Sequence, residues 1–171
     1  MCLNFCMLYY LENVELTECM TCGHYRYTSR TSRGKTLVAY KKLRYFPITP
    51  RLQRLFMSPR TAEHMTWHQS HDVVDGVMIH PSNGKAWKHF NSVHPHFSAE
   101  SRNVRLGLCT NRFNPFGLFV VPYSCWSVIL TVYNLPPGMC MRSEFMFLST
   151  IIPGPSSPGR NCLRPLIDKL T

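Results

Sequence analysis

Carboxylates are scarce in this sequence. Nine Asp and Glu face 19 Lys and Arg across 171 residues, for a formal net charge of +10. A two-metal site that cuts or joins nucleic-acid strands needs several acids holding ions roughly 4 Å apart. Beyond the three glutamates near the start, the acids are only Glu63, Asp72, Asp75, Glu100, Glu144 and Asp168. Asp72 and Asp75 could share a site, but both flank a glycine-bearing turn where solvent exposure is the ordinary reading. Long apolar runs are missing too. Residues 116–135 come nearest to the roughly 20 apolar residues of a membrane span, and Pro122, Ser124 and Asn134 interrupt them. The opening MCLNFCMLYYLENVE has no basic leader, which argues against a signal peptide. No membrane partner is expected, and cytoplasm or nucleus is the default location.

Other absences remove enzyme classes. His64 and His68 have the histidine spacing of an HExxH zinc protease, but no Glu lies between them. With His71 nearby, they read either as a surface cluster on a DNA-facing element or as partly buried histidines with local hydrogen bonds. No Ser-His-Asp spacing stands out, and Arg33-Gly34-Lys35 is too short for a phosphate-binding loop.

Cysteine is present in a pattern. A chain with a substantial core does not need its eight cysteines as staples. Four fall early as C-x3-C-x12-C-x2-C: Cys2, Cys6, Cys19 and Cys22. Two short turns a dozen residues apart can deliver four thiolates to a structural Zn2+, with His24 as an alternate ligand. Gly23 suits the tight turn such a knuckle needs. Reduced free thiols are the competing reading. Cys109, Cys125, Cys140 and Cys162 are scattered singly.

The positive charge is clustered as well. From His24 to Ala62 there are ten basic residues and no acid. Arg26, Arg30, Arg33, Lys35, Lys41, Lys42, Arg44, Arg51 and Arg54 are the candidate DNA contacts, because a one-signed stretch favours a polyanion. A solvated basic face, or a ribosomal or chromatin-like electrostatic contact, is the alternative.

Three segments follow: a Cys-rich module at 1–27, a basic and His-rich helical linker at 28–100, and an α/β segment at 101–171. Thr49 and Pro50 predict the start of a helix with Leu52, Leu55 and Phe56 on one face, and Ser58-Pro59 begins another running to about His68. Gly84 precedes a helix, KAWKHFNSV, whose Trp87 and Phe90 share a face. Residues 102–110 read as the clearest strand, with Val104, Leu106 and Leu108 pointing one way, before a break at Asn-Arg-Phe-Asn-Pro-Phe-Gly. One or two strands between 118 and 135, split by Pro122, predict an antiparallel meander with an open edge. Residues 139–151 are helix or strand, and 153–160 are a Pro/Gly/Ser loop.

Nearly end to end, the blocks ECMTCGHYRY, LRYFPITPRLQRLF, HPSNGKAWKHF, NVRLGLCTNRFNPFG, YSCWSVILTVYNLPPGMCM, IIPGPSSPG and LRPLIDKL resemble the transposase of plant CACTA-type DNA transposons, also called Enhancer/Suppressor-mutator-like elements. The resemblance implies an α/β fold: a partial RNase H-like layer of antiparallel strands with helices, preceded by the small Cys-rich zinc-binding-like module. In the intact family it implies Mg2+-dependent strand cleavage and transfer by an acidic triad. That family's proteins are several times longer, so the chain resembles an internal part, with the remaining acids expected beyond Thr171. The first acid is expected as Asp-Gly before FNPF, where Asn111 and Arg112 stand. Asn83 occupies another place expected to hold Asp. Asn keeps an acceptor oxygen but loses the charge that divalent ions require.

No catalytic residue is therefore assigned. The expectation is a transposase fragment, inactive alone, that keeps Zn2+ and DNA binding, with the nucleus favoured. Two alternatives remain: part of an active transposase completed by missing sequence or another chain, and a remnant, non-functional or inhibitory, that associates with intact transposase or with itself.

Overall fold

The computed structural model describes residues 1–31, 37–117, 123–154 and 160–170, with the side chains of 29–31 and of 160 outside that description. Pro122 and most of the expected Pro/Gly/Ser loop, residues 155–159, also lie outside the described residues.

Strands β1 (Tyr27–Thr31) and β2 (Leu37–Ala39) form an antiparallel ribbon with Tyr27 opposite Ala39. A second sheet has the order β3-β6-β5-β4, where β3 is Arg44–Tyr45, β4 Leu106–Phe113, β5 Cys125–Val132 and β6 Met146–Pro153. β3 runs antiparallel to β6, Tyr45 facing Thr150. Beside β4, the Tyr133 N–H donates to the Arg105 carbonyl at 2.9 Å and the Ser127 hydroxyl to the Asn111 carbonyl at 3.2 Å. Rising numbers on one side meet falling numbers on the other, as antiparallel strands require.

The chain packs as two compact units, Met1–Phe46 with Thr110–Val128 and Ser149–Thr171, and Pro47–Cys109 with Ile129–Leu148. In the first, a small cluster gathers Cys2, Met7, Tyr9 and Cys19. Gly154 lets two backbones touch there, since a Cβ at that position would sit 1.7 Å from the Ser124 carbonyl oxygen.

In the second unit, helix α1 (Thr49–Met57) presents Leu52, Leu55 and Phe56 to a core of Met65, Val132, Leu135 and Cys140. Thr49 is itself helical and no side chain caps that end. Pro50 in the first turn has no N–H to satisfy, which lightens the need for a cap. Ser58-Pro59 does begin a helix, α2 (Pro59–Ala62), which passes through a 3-10 turn at Glu63–Thr66 into α3 (Trp67–Ser70). Gly84 precedes α4 (Lys85–Val93), and α5 (Pro95–Ala99) follows. The later α6 (Pro137–Cys140) resolves the ambiguous 139–151 segment into helix then strand; α7 (Arg164–Ile167), by contrast, belongs to the first unit.

The strand expected at 102–110 is shifted. Val104 and Leu106 pack on the core, but Leu108 is half exposed, and the strand continues through Asn111 and Arg112 to Phe113. Asn134 explains where it starts. Fully buried, its Oδ1 accepts the Arg105 N–H at 2.8 Å while its Nδ2 donates to the Asn103 carbonyl at 3.0 Å. This side chain holds residues 103–105 in place of a strand partner. Asn134→Ala would leave those backbone groups unpaired and should cost about 3 kcal/mol in urea unfolding; a loss below about 0.5 kcal/mol would contradict the bracket.

Candidate functional site

Two backbone turns carry the four early thiols. In the first, the Cys2 N–H donates to the Met7 carbonyl at 3.0 Å and the Phe5 N–H to the Cys2 carbonyl at 3.1 Å. In the second, Cys19 N–H reaches the His24 carbonyl at 3.0 Å and Gly23 N–H the Cys19 carbonyl at 2.8 Å, with Gly23 at φ +67° as its turn requires. The four Sγ atoms of Cys2, Cys6, Cys19 and Cys22 lie within 4.8 Å of one another, Cys2 and Cys22 at 3.5 Å. All four are free thiols. A tetrahedron with metal–sulfur bonds of about 2.3 Å has edges of about 3.8 Å, so this donor set fits a Zn2+ ion. His24 is not among the four converging groups; its Nδ1 donates to the Tyr25 carbonyl at 2.8 Å.

The thiols also perturb one another. The His24 backbone N–H is the main cause that pulls Cys22 down to about 6, whereas the neighbouring Cys22 thiol pushes Cys6 up to about 12. Burial raises Cys2. Adjacent thiolates repel, so the protons leave together only when a cation replaces them.

The basic residues divide by what they touch. Arg26 donates to the Val14 and Leu16 carbonyls and lies over the rings of Tyr9 and Tyr27 at 4.8 and 5.0 Å. Arg51 donates to the Leu148 carbonyl at 2.8 Å. Both brace the backbone. Lys41 is half-buried with its ammonium 3.4 Å from the Phe5 ring centre. Lys42, Arg44 and Arg54 are exposed. Arg33 and Lys35, and the side chain of Arg30, lie outside the described residues.

A histidine network in the second unit was only half visible in the sequence. His68 and His80 are buried, and His71 is half-buried and stacked on Trp67 with ring centres 4.1 Å apart. Of the two readings of the His64/His68/His71 group, partial burial with local bonds describes His71, while His68 is buried with its Nδ1 lacking a hydrogen-bond partner. The His80 N–H donates to Asn83 Oδ1 at 3.1 Å, which turns the Asn83 amide nitrogen toward His71 Nε2 at 2.9 Å. That Nε2 is thereby the acceptor, and Nδ1 donates to the Trp67 carbonyl at 3.2 Å. His80 Nδ1 accepts the Ser82 N–H at 3.2 Å, closing a reciprocal cap on the Pro81–Asn83 turn. A cavity of about 560 Å³ beside it is lined by His68, His71, Trp87, Lys88 and Arg105. The Arg105 guanidinium lies over the Trp87 and Phe90 rings at 4.0 and 4.8 Å.

Residues 75–171, more than half of the chain, match a family model described as Transposase family tnp2. The chain belongs to this transposase family. No curated protein and no solved structure matches it. The tnp2 match takes in His80, Asn83 and Arg105 from the histidine network and all of β4. On that strand Asn111 and Arg112 are both exposed. Three acids of the tnp2 region are held by arginines: Glu100 by Arg102 at 2.7 Å, Glu144 by Arg142 at 3.6 Å and Asp168 by Arg164 at 3.8 Å. Arg102 keeps Glu100 down to about 2. The four thiols and the basic stretch precede the matched residues.

Burial, then the charges of His71 and His68, hold His80 down to about 4 against an ordinary value of about 6.5. Between those values the unfolded chain takes up a proton that the folded chain refuses. The contribution is therefore complete above about pH 6.5 and lost as pH falls toward about 4. The urea midpoint should drop between about pH 7 and pH 5, and less so in His80→Asn, which keeps an acceptor for the Ser82 N–H. Equal slopes in parent and variant would contradict this.

Proposed function

We propose that this transposon-derived tnp2 chain holds a structural Zn2+ through Cys2, Cys6, Cys19 and Cys22, binds DNA through its exposed basic residues, and does not cut DNA by itself. The observation that carries the reading is the convergence of four thiols in a chain of a transposase family. When bound, zinc supplies charge neutralisation and a cross-link between the two turns. The cysteines orient themselves for this through backbone bonds, and the Asn4 N–H helps by donating to Cys2 Sγ at 3.4 Å.

Exposed Lys42, Arg44 and Arg54, with Arg30, Arg33 and Lys35 on the same acid-free stretch, suit phosphate contacts. Arg26 and Arg51 also hold backbone carbonyls, of Val14 and Leu16 and of Leu148. DNA as partner and the nucleus as location follow from the transposase reading. So does the finer fold assignment, an RNase H-like layer of the plant CACTA type, supported by the side-by-side order β6-β5-β4.

Inactivity rests on Asn111 and Arg112 at the expected first-acid position, and on the pairing of Glu100, Glu144 and Asp168 with arginines. An amide cannot balance a divalent ion's charge, and a neighbouring guanidinium opposes the Mg2+ that the intact family would use. A second reading, in which further sequence or another chain completes an active or an inhibited assembly, is favoured by β4, which ends the sheet with six of its eight residues exposed.

Chelation should release about one zinc per chain and abolish or strongly lower the cooperative melt of the first unit; an unchanged melt would contradict the structural role. DNA affinity should fall steeply with salt, with a slope near 0.9 per phosphate neutralised. A negligible slope rules out phosphate contacts. The double variant Asn111→Asp, Arg112→Gly should still leave DNA uncut with Mg2+ or Mn2+, because Glu100, Glu144 and Asp168 stay paired with arginines; cleavage would show that the acid assignment is wrong.

A further inference from the structure

The first unit contains a cavity of about 420 Å³ whose chemistry is one-sided. Three cations line it, Arg26, Lys41 and Lys42, and among the described residues none of them is ion-paired. Four tyrosines line it too: Tyr9, Tyr10, Tyr27 and Tyr45. The other lining side chains are aliphatic or thioether, so they include no carboxylate and no amide. The hydroxyls of Tyr9 and Tyr45 are buried and have no hydrogen-bond partner.

A buried hydroxyl without a partner costs about 1–3 kcal/mol, and three cations around one cavity, none of them ion-paired among the described residues, leave charge of one sign without a counter-charge. Both costs fall if an acceptor-rich anion enters. The size of the cavity is that of a small-molecule site rather than of a single ion. A bare phosphate would use the cations but leave the aromatic and aliphatic wall without a partner. The ligand that matches both halves carries a phosphate and a flat, largely apolar ring.

We infer that this cavity binds one nucleotide, its phosphate on Lys41, Lys42 and Arg26 and its base against the tyrosines. Arg26 is already fixed by the Val14 and Leu16 carbonyls, and Lys41 rests on the Phe5 ring, so both cations are pre-placed rather than recruited from solvent. The nucleotide is either free or an unpaired unit of a DNA strand. A base stacked inside a duplex cannot enter a cavity without being extruded, so single strands bind more tightly than duplex here. The inference rests on the DNA reading above only for the second source.

The test uses the zinc-loaded full chain. Binding is measured by fluorescence anisotropy to a labelled single strand of about a dozen nucleotides and to the matching duplex, and by calorimetry to 5′-dAMP and to deoxyadenosine. Single strand should bind more tightly than duplex, and dAMP more tightly than the unphosphorylated nucleoside. Tyr45→Phe removes an unpartnered hydroxyl; it should weaken dAMP and single-strand binding about tenfold and leave the melting temperature unchanged or raised. Lys42→Gln should weaken both and reduce the salt slope by about one. If both variants bind DNA as the parent does, the cavity assignment falls and the DNA reading survives. If the parent binds dAMP with Tyr45 dependence but no DNA, the cavity assignment survives and the DNA reading falls. No binding of any of these probes overturns both.

Discussion

Cys2 and Cys19 have two jobs in the same small cluster. They are two of its four buried residues, and they are also half of the thiol set. Little apolar surface therefore remains to hold residues 1–24 in shape, and the turns that aim the thiols are tied mainly by backbone hydrogen bonds. A region this small rarely sustains a fold by burial alone. A dication that takes four thiolates replaces the missing core with metal–sulfur bonds, and it also resolves the proton competition visible in the opposite displacements of Cys6 and Cys22.

The neighbouring parts of this unit inherit that constraint. Lys41 rests on Phe5, inside the first Cys turn, and Asn161 donates to the Cys6 carbonyl at 3.1 Å. Arg164 pairs with Glu12 at 2.7 Å, although that pair is exposed and worth little by itself. The donor-lined cavity draws its wall from the same residues, Tyr9, Tyr27, Lys41 and Pro165 among them. Thiol cluster and cavity thus share one scaffold. The second unit is organised differently, by a larger aliphatic core and by the polar bracket of Asn134, with a histidine turn whose tautomers are set by the Ser82 N–H at His80 and by the Asn83 amide and Trp67 carbonyl at His71.

What the sequence made legible is what depends on neighbours in the chain. The C-x3-C and C-x2-C turns, the helix after Gly84 and the Pro50 and Pro59 helix starts are local, and spacing alone recovers them. The rest depends on partners far along the chain. Arg51 looked like a surface cation, but its long side chain reaches a carbonyl 97 residues away. Val104 alternates like a strand residue, yet the strand begins later because Asn134, 29 residues beyond Arg105, takes its N–H. Nothing in its local sequence marks His80 as buried, since only the fold brings Trp67, Trp87 and Tyr133 around it. The departure at Asn111 was legible only through the resemblance, because nothing local distinguishes an amide that replaced an acid from one that did not.

The central claim is that four cysteines of this tnp2 chain hold one zinc ion. Zinc-edge X-ray absorption on the purified chain addresses it most directly. The account predicts a first shell of four sulfurs at about 2.3 Å and no light-atom scatterer. A shell containing nitrogen or oxygen, or a chain that keeps its cooperative melt while carrying no zinc at all, would contradict it.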